Sequence, residues 1–210
     1  MLSRNWTKHP TVIFEWPTNA LEDFSVERVG NKFRATFTAG PNLQDQRAHH
    51  AYSESPFGPF ENVESALKTH AMTRLDRSRL DKNRRIVAQV WPGLPKCGLW
   101  LHTDISENLT VREVLVPPQK PYDIVAACPG TFNNPDGDID IAWEGRSKKV
   151  KWSLYVGALH PDGSVTTDQD PLCDGANPSY LFFDNTVYLY YSAWEGNGFK
   201  TWVMHQKISG

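Results

Sequence analysis

Apolar residues recur along this chain in short alternating runs, each closed by a glycine. Four runs stand out: Phe33–Gly40 (FRATFTAG), Ile86–Gly93 (IVAQVWPG), Ile139–Gly145 (IDIAWEG) and Tyr188–Gly196 (YLYYSAWEG). Their alternation and their β-branched and aromatic content predict strands, because such side chains fit a pleated surface that is buried on one side. The closing glycines are spaced by 53, 52 and 51 residues, and two runs end in the same Ala-Trp-Glu-Gly. Ahead of each run stands a turn: Gly30-Asn31, Asp81-Lys82-Asn83, Asp136-Gly137 and Asp184-Asn185. Glycine, Asn and Asp tolerate the positive φ of tight hairpins, so each turn implies a preceding strand. These strands open at Asp23, Asp76, Cys128 and Asn177.

A third strand follows each run, at Arg47–Ser53, Gly98–Thr103, Lys151–Leu159 and Thr201–Ile208. A fourth follows in three of the repeats, at Phe60–Val63, Thr110–Leu115 and Ser164–Thr167. A four-stranded antiparallel meander of about 50 residues has the size of a propeller blade. The expected fold is all-β: a single β-propeller domain over 1–210, with blades at about 23–63, 74–116, 123–170 and 174–208. The strand-like segment Pro10–Trp16 is expected to supply the outer strand that the last repeat lacks, closing an otherwise open edge. Five blades, with residues 1–22 forming a degenerate one, and a β-sandwich are the alternatives. Helix is expected only as a turn or two within Val63–Met72.

Composition narrows the function. The 210 residues include eight Trp, seven Tyr and ten Phe, beside 15 Pro and 14 Gly, which suits short strands and flat apolar platforms for sugar rings. A net charge of -2 lacks the basic excess of a nucleic-acid binder. No apolar run is long enough to span a membrane as a helix. Three cysteines make no disulfide framework. The start has no apolar stretch of a secretory leader, so a cytoplasmic location is expected, or secretion if a leader has been removed. No cofactor is expected.

In a propeller the inner-strand starts, the second-strand ends and the third-strand starts share one mouth. That mouth is expected to collect Asp23, Asp76, Cys128 and Asn177, then Trp91, Trp143, Glu144, Trp194 and Glu195, with Arg47, His49 and His50. Paired carboxylates are the minimum for cleaving a glycosidic bond: one charged to activate water or attack, one protonated to donate to the leaving oxygen. Asp23 and Asp76 are candidates for the first role and for tuning, and Glu144 and Glu195, beside tryptophans, for the acid. Trp91, Trp143, Trp194, Arg47, His49, His50 and Asn177 are the candidate substrate contacts. His49 and His50 are adjacent on a strand, so at most one faces the mouth. Arg77 belongs to a basic cluster with Arg74, Arg79, Lys82, Arg84 and Arg85 that is expected to wall a pocket for an anionic group. The acids of Asp136-Gly-Asp138-Ile-Asp140 read as a solvent-facing turn, and no metal-ligand spacing is present.

The stretch Asp23–Thr38 resembles the opening blade of arabinanase- and xylosidase-type glycoside hydrolases, the family 43 kind, in which an Asp precedes such a strand. His50–Glu61 is similar to their A-x-S-x-S-P-x-G-P-[FW]-E strand and turn, and Asn177–Ser192 to their inner hairpin. The resemblance implies that Asp23 is the general base and Asp76 the second-blade Asp. The family's acid is a Glu at a later inner-strand start, where this shorter chain carries Cys128 and Asn177, so Glu144 or Glu195 is implied to act instead. The expected function is that of a carbohydrate-active enzyme, most simply a glycoside hydrolase acting on an oligosaccharide or other small molecule. The alternatives are a lectin-like binding propeller and an enzyme on a non-sugar small molecule.

Overall fold

The computed structural model describes residues 5–18, 20–42, 44–66, 79–90, 92–94, 96–107, 109–118, 125–146, 151–196 and 198–208. Among these the chain forms seventeen strands and no helix. The first six are β1 (Thr7–Lys8), β2 (Phe14–Glu15), β3 (Leu21–Val29), β4 (Lys32–Ala39), β5 (Arg47–Ser53) and β6 (Glu61–Ser65). Then come β7 (Arg84–Val90), β8 (Cys97–Ser106), β9 (Leu109–Val116), β10 (Val125–Asn133), β11 (Ile139–Arg146), β12 (Ser153–Leu159), β13 (Val165–Thr167) and β14 (Cys173–Asp174). The last three are β15 (Ala176–Phe183), β16 (Thr186–Glu195) and β17 (Gly198–Lys207). The chain divides into two compact units, one holding residues 4–74 and 177–210, the other 75–176.

In the first unit β3-β4-β5-β6 form one antiparallel meander and β15-β16-β17 another. Alternation along β4 explains its placement: Phe33, Ala35, Phe37 and Ala39 are buried, while Lys32 is exposed and Arg34 and Thr36 are half-buried. The buried faces meet in a core of Ile13, Phe14, Leu21, Phe24, Phe37, Phe60, Tyr190 and Val203. The N-terminal segment adds to the outer edge of β17: Thr7 and Lys8 pair with His205 and Met204, and Phe14 and Glu15 with Thr201 and Lys200. Between them Pro10 brings no backbone N–H, and the ladder is interrupted there. His9 and Ile13 still donate their N–H groups to Val203 and Thr201, at 2.9 and 3.0 Å. The expected pairing of this segment with the last repeat is therefore observed.

The helical turns expected within Val63–Met72 are absent where the chain is described. Glu61–Ser65 is strand β6, pairing through Tyr52↔Glu61 and His50↔Glu64, and residues 67–72 lie outside the described residues. Cross-strand pairing, reinforced by the Tyr52 hydroxyl donating to Glu64 at 2.6 Å, overrides the local preference.

In the second unit β10-β11-β12-β13 repeat the same meander, and β7-β8-β9 form a ladder beside it. Val125 of β10 pairs in parallel with Cys97 of β8. Of the strand expected from Asp76, residues 76–78 lie outside the described residues; Arg79 bridges Arg85 and Leu80 is buried. Ile86, Leu99, Val116, Ala126, Ile141, Trp143 and Tyr155 form the core.

Candidate functional site

Three inner-strand starts share one unusual feature. Asp23, Cys128 and Asn177 hold left-handed backbones, with φ of 60°, 48° and 53°. Asp and Asn enter this region more readily than other non-glycine residues. In β3 the register shifts between Glu22 and Ser25, and in β10 between Ala127 and Gly130, so Asp23 and Cys128 each sit in a β-bulge. A bulge re-aims a side chain that a regular strand would place elsewhere. The repeat seen in the sequence is thus also a repeat of backbone geometry, at the positions singled out as site residues. Asp23 is only 3% exposed and Asn177 is buried.

Within the first unit, the Ser179 hydroxyl donates to the Phe24 carbonyl at 2.7 Å, which joins the starts of β3 and β15, the ends that carry Asp23 and Asn177. The same end of this unit carries the end of β4 and the start of β5, hence Arg47 and His49. It also carries the β16–β17 hairpin, with Trp194 and Glu195. Gly198 of that hairpin packs against the Thr18 carbonyl, where an added Cβ would lie 3.3 Å away.

Here a cavity of about 450 Å³ opens, lined among others by Trp16, Thr18, Gly40, Asp45, Arg47 and His49. Gly40 is its hinge. Its carbonyl accepts from the Trp16 indole N–H at 3.2 Å and from the Thr18 hydroxyl at 2.5 Å. A Cβ at position 40 would collide with the Asp45 carbonyl. The Trp16 ring meets the Phe37 ring edge-on at 5.8 Å and the His49 ring at 5.1 Å. His49 also stacks on Phe37, and its Nε2–H donates to the Ala39 carbonyl at 3.3 Å, which fixes the tautomer. His50 turns the other way. Its Nδ1 lies 3.0 Å from the Thr36 hydroxyl, and burial, then the Arg34 guanidinium, lower its pKa.

The tryptophans divide sharply. Trp194 is 54% exposed, with the edge of Phe199 against it at 5.2 Å. Trp143, proposed from sequence as a sugar platform, is 0% exposed and stacks on Tyr155 at 6.0 Å. No sugar ring reaches it, and its role is in the core. Glu144, next to it in the second unit, is buried. Trp91, Asp76 and Arg77 lie outside the described residues.

Two members of the basic cluster are neutralised locally. Arg84 pairs with Asp81 at 2.6 Å and Arg85 with Asp104 at 2.7 Å. The Arg84 hydrogen bond, with backbone donors, holds the Asp81 carboxyl below its ordinary pKa. The acidic turn also differs from expectation: Asp140 is buried and accepts from Asn134 at 2.7 Å, and Asp138 contacts His160 at 2.8 Å. Among the described residues no group of three or more His, Cys, Asp or Glu is placed to hold a metal.

Sequence reasoning missed Trp16, Thr18 and Asp45. The available signal was the Trp-Pro-Thr that follows the edge-strand segment, read as an ending rather than as a wall.

No protein-family model and no curated protein sequence matches the chain. Solved structures do. The α-L-arabinofuranosidase of Podospora anserina, solved in complex with cellotriose, superposes with a TM-score of 0.62 at 7% identity, covering 96% of each chain. The α-L-arabinofuranosidase of Lactobacillus brevis gives 0.53 at 12% identity, over 90% of this chain and 73% of that one. The endo-arabinase of Bacteroides thetaiotaomicron gives 0.50 at 14%, over 89% and 75%. The fold of this chain is that of the arabinofuranosidase and arabinase type of glycoside hydrolase, in line with the resemblance carried by its residues.

Proposed function

We propose that the chain is a single four-bladed β-propeller and a carbohydrate-active enzyme, most simply a glycoside hydrolase acting on an oligosaccharide. The observation that carries this reading is Asp23. A carboxylate is held in a left-handed bulge at an inner-strand start that is joined to the start of β15, on a fold shared with arabinofuranosidases. A carboxylate fixed this way needs no reorganisation before reaction, which is what makes a positioned group effective. In this reading Asp23 is the base that activates water at the anomeric carbon. Glu195, at the end of β16 in the same unit, protonates the leaving oxygen. Trp194, exposed beside Glu195, covers the C–H face of a sugar ring. The cellotriose bound to the Podospora enzyme supports an oligosaccharide as the ligand class.

The test is turnover on a panel of aryl glycosides and oligosaccharides. Asp23→Asn keeps shape and removes charge and basicity, so turnover should fall by at least about 10²-fold, while sugar affinity changes much less. Equal rates for the two proteins would remove Asp23 from the mechanism. The exposure of Trp194 favours a second reading, a lectin-like propeller. It predicts no turnover on any panel member and loss of affinity in Trp194→Ala.

A further inference from the structure

We propose that the cavity walled by Trp16 and Arg47 is a subsite for a carboxylate-bearing sugar, a uronate unit. The assignment rests on the carbohydrate-active reading above and adds the substrate class. It follows from which polar groups of the lining remain unengaged. The Gly40 carbonyl already accepts two hydrogen bonds, from Trp16 and Thr18. The Thr18 hydroxyl in turn accepts from the Ala20 N–H at 3.3 Å. The His49 Nε2–H is engaged by the Ala39 carbonyl. Asp45 is part of a self-closed loop: its Oδ2 accepts from the Asn42 amide at 2.8 Å, and its own N–H donates to Asn42 Oδ1 at 3.0 Å.

Arg47 differs from all of these. It is exposed at the start of β5 and makes no ion pair or side-chain hydrogen bond among the described residues. The cavity therefore offers an apolar wall of Trp16 with Pro17, Ala39 and Pro41, and one free guanidinium. A neutral sugar would leave the charge of that guanidinium unpaired. A uronate matches both features. Its C–H face lies on the indole, and its planar carboxylate takes the fork of guanidinium donors, a geometry in which two parallel hydrogen bonds form. The indole is already oriented by its hydrogen bond to Gly40, so little order has to be imposed when the ring docks.

The test uses the full chain and two ligands matched in length, a glucuronosyl xylobiose and xylotriose, titrated by NMR or calorimetry. The acidic ligand should bind at least about ten times tighter, the range of a charge-assisted hydrogen bond. That preference should shrink as salt rises from about 0.05 to about 0.5 M, because the pair is exposed and screened. Arg47→Gln should erase the preference by weakening the acidic ligand to the level of xylotriose. Trp16→Leu should weaken both ligands, with the unfolding midpoint checked because Trp16 also packs on Phe37. Equal binding of the two ligands, or a preference that survives Arg47→Gln, would overturn the assignment. So would a failure of both ligands to bind. The outcomes separate from those for Asp23: turnover without uronate preference overturns this inference alone, and preference without turnover overturns hydrolysis alone.

Discussion

Two tryptophans in one four-letter context show what a single residue opposite can decide. Ala142-Trp-Glu-Gly145 and Ala193-Trp-Glu-Gly196 are identical, yet Trp143 is wholly buried and Trp194 lies in solvent. The difference sits on the neighbouring strand. Opposite Trp143 stands Tyr155, and two residues further on is Gly157, whose missing Cβ leaves room for the indole. In the last repeat Phe199 faces Trp194, and Thr201 occupies the position equivalent to Gly157. A Cβ on Gly157 would lie 3.2 and 3.3 Å from two carbons of the Trp143 ring, and closer still to the Thr166 carbonyl. Gly157→Ala should therefore cost about 1–3 kcal/mol through overpacking, despite the entropy gain that alanine usually brings. The measurement is the urea midpoint of the variant; an unchanged or raised midpoint would mean that β12 and β13 part without cost. Tight packing of this kind is invisible in a local motif, which is why the sequence offered both tryptophans equally.

At the scale of elements, the edge contributed by residues 7–15 matters most in the first unit. Its backbone pairing with β17 is short and broken at Pro10, so its main contribution comes from Phe14. That ring lies 4.7 Å from Phe37 and 5.3 Å from Phe24, and is buried between the sheets of the unit. Phe14→Ala should cost about 3–5 kcal/mol, the range for deleting a buried aromatic side chain. Denaturant unfolding measures this, and a loss under about 1 kcal/mol would show the segment to be dispensable to the core. A second device ties turns together in the other unit. His160 links Asp138, in the β10–β11 turn, to Thr166 of β13, with contacts of 2.8 and 2.7 Å. The residues that form these links are ordinary turn residues in the sequence, and only the meander brings them within reach.

At the scale of the whole molecule, three histidines among the described residues respond to acid in the same direction. Burial is the main cause that lowers the pKa of His50, His102 and His205. Arg34 adds to it at His50, Arg112 and Arg85 at His102, and His9 at His205. A folded-state pKa below the unfolded value of about 6.5 means that the unfolded chain binds more protons as pH falls. Their stabilising contribution is therefore complete above that value and is lost as pH drops through the folded pKa values. The carboxyls of Asp81 and Asp104 are also held low, by Arg84 and chiefly by Thr110 respectively, and add a second loss at more acidic pH. Thermal unfolding from pH 8 to pH 5 should show a falling Tm, and His102→Gln should flatten part of the slope. A Tm that is constant or rises over this range would contradict the assignment.

The sequence by itself determined the strand class, the repeat, the hairpin turns and the pairing of the N-terminal segment with the last meander. Each of these depends on local chemistry: alternation fixes which face is buried, and Gly, Asn and Asp fix where the chain can turn. It also singled out Asp23 and Asn177, because they open the short strands that precede the repeated turns; their left-handed backbones came only with the structure. Only the tertiary structure decided which tryptophan is core and which is surface, that β6 is strand, and that Trp16 walls a cavity with Arg47. Those outcomes depend on the volume and hydrogen-bonding groups that distant segments bring to one place, and no periodicity along the chain encodes them.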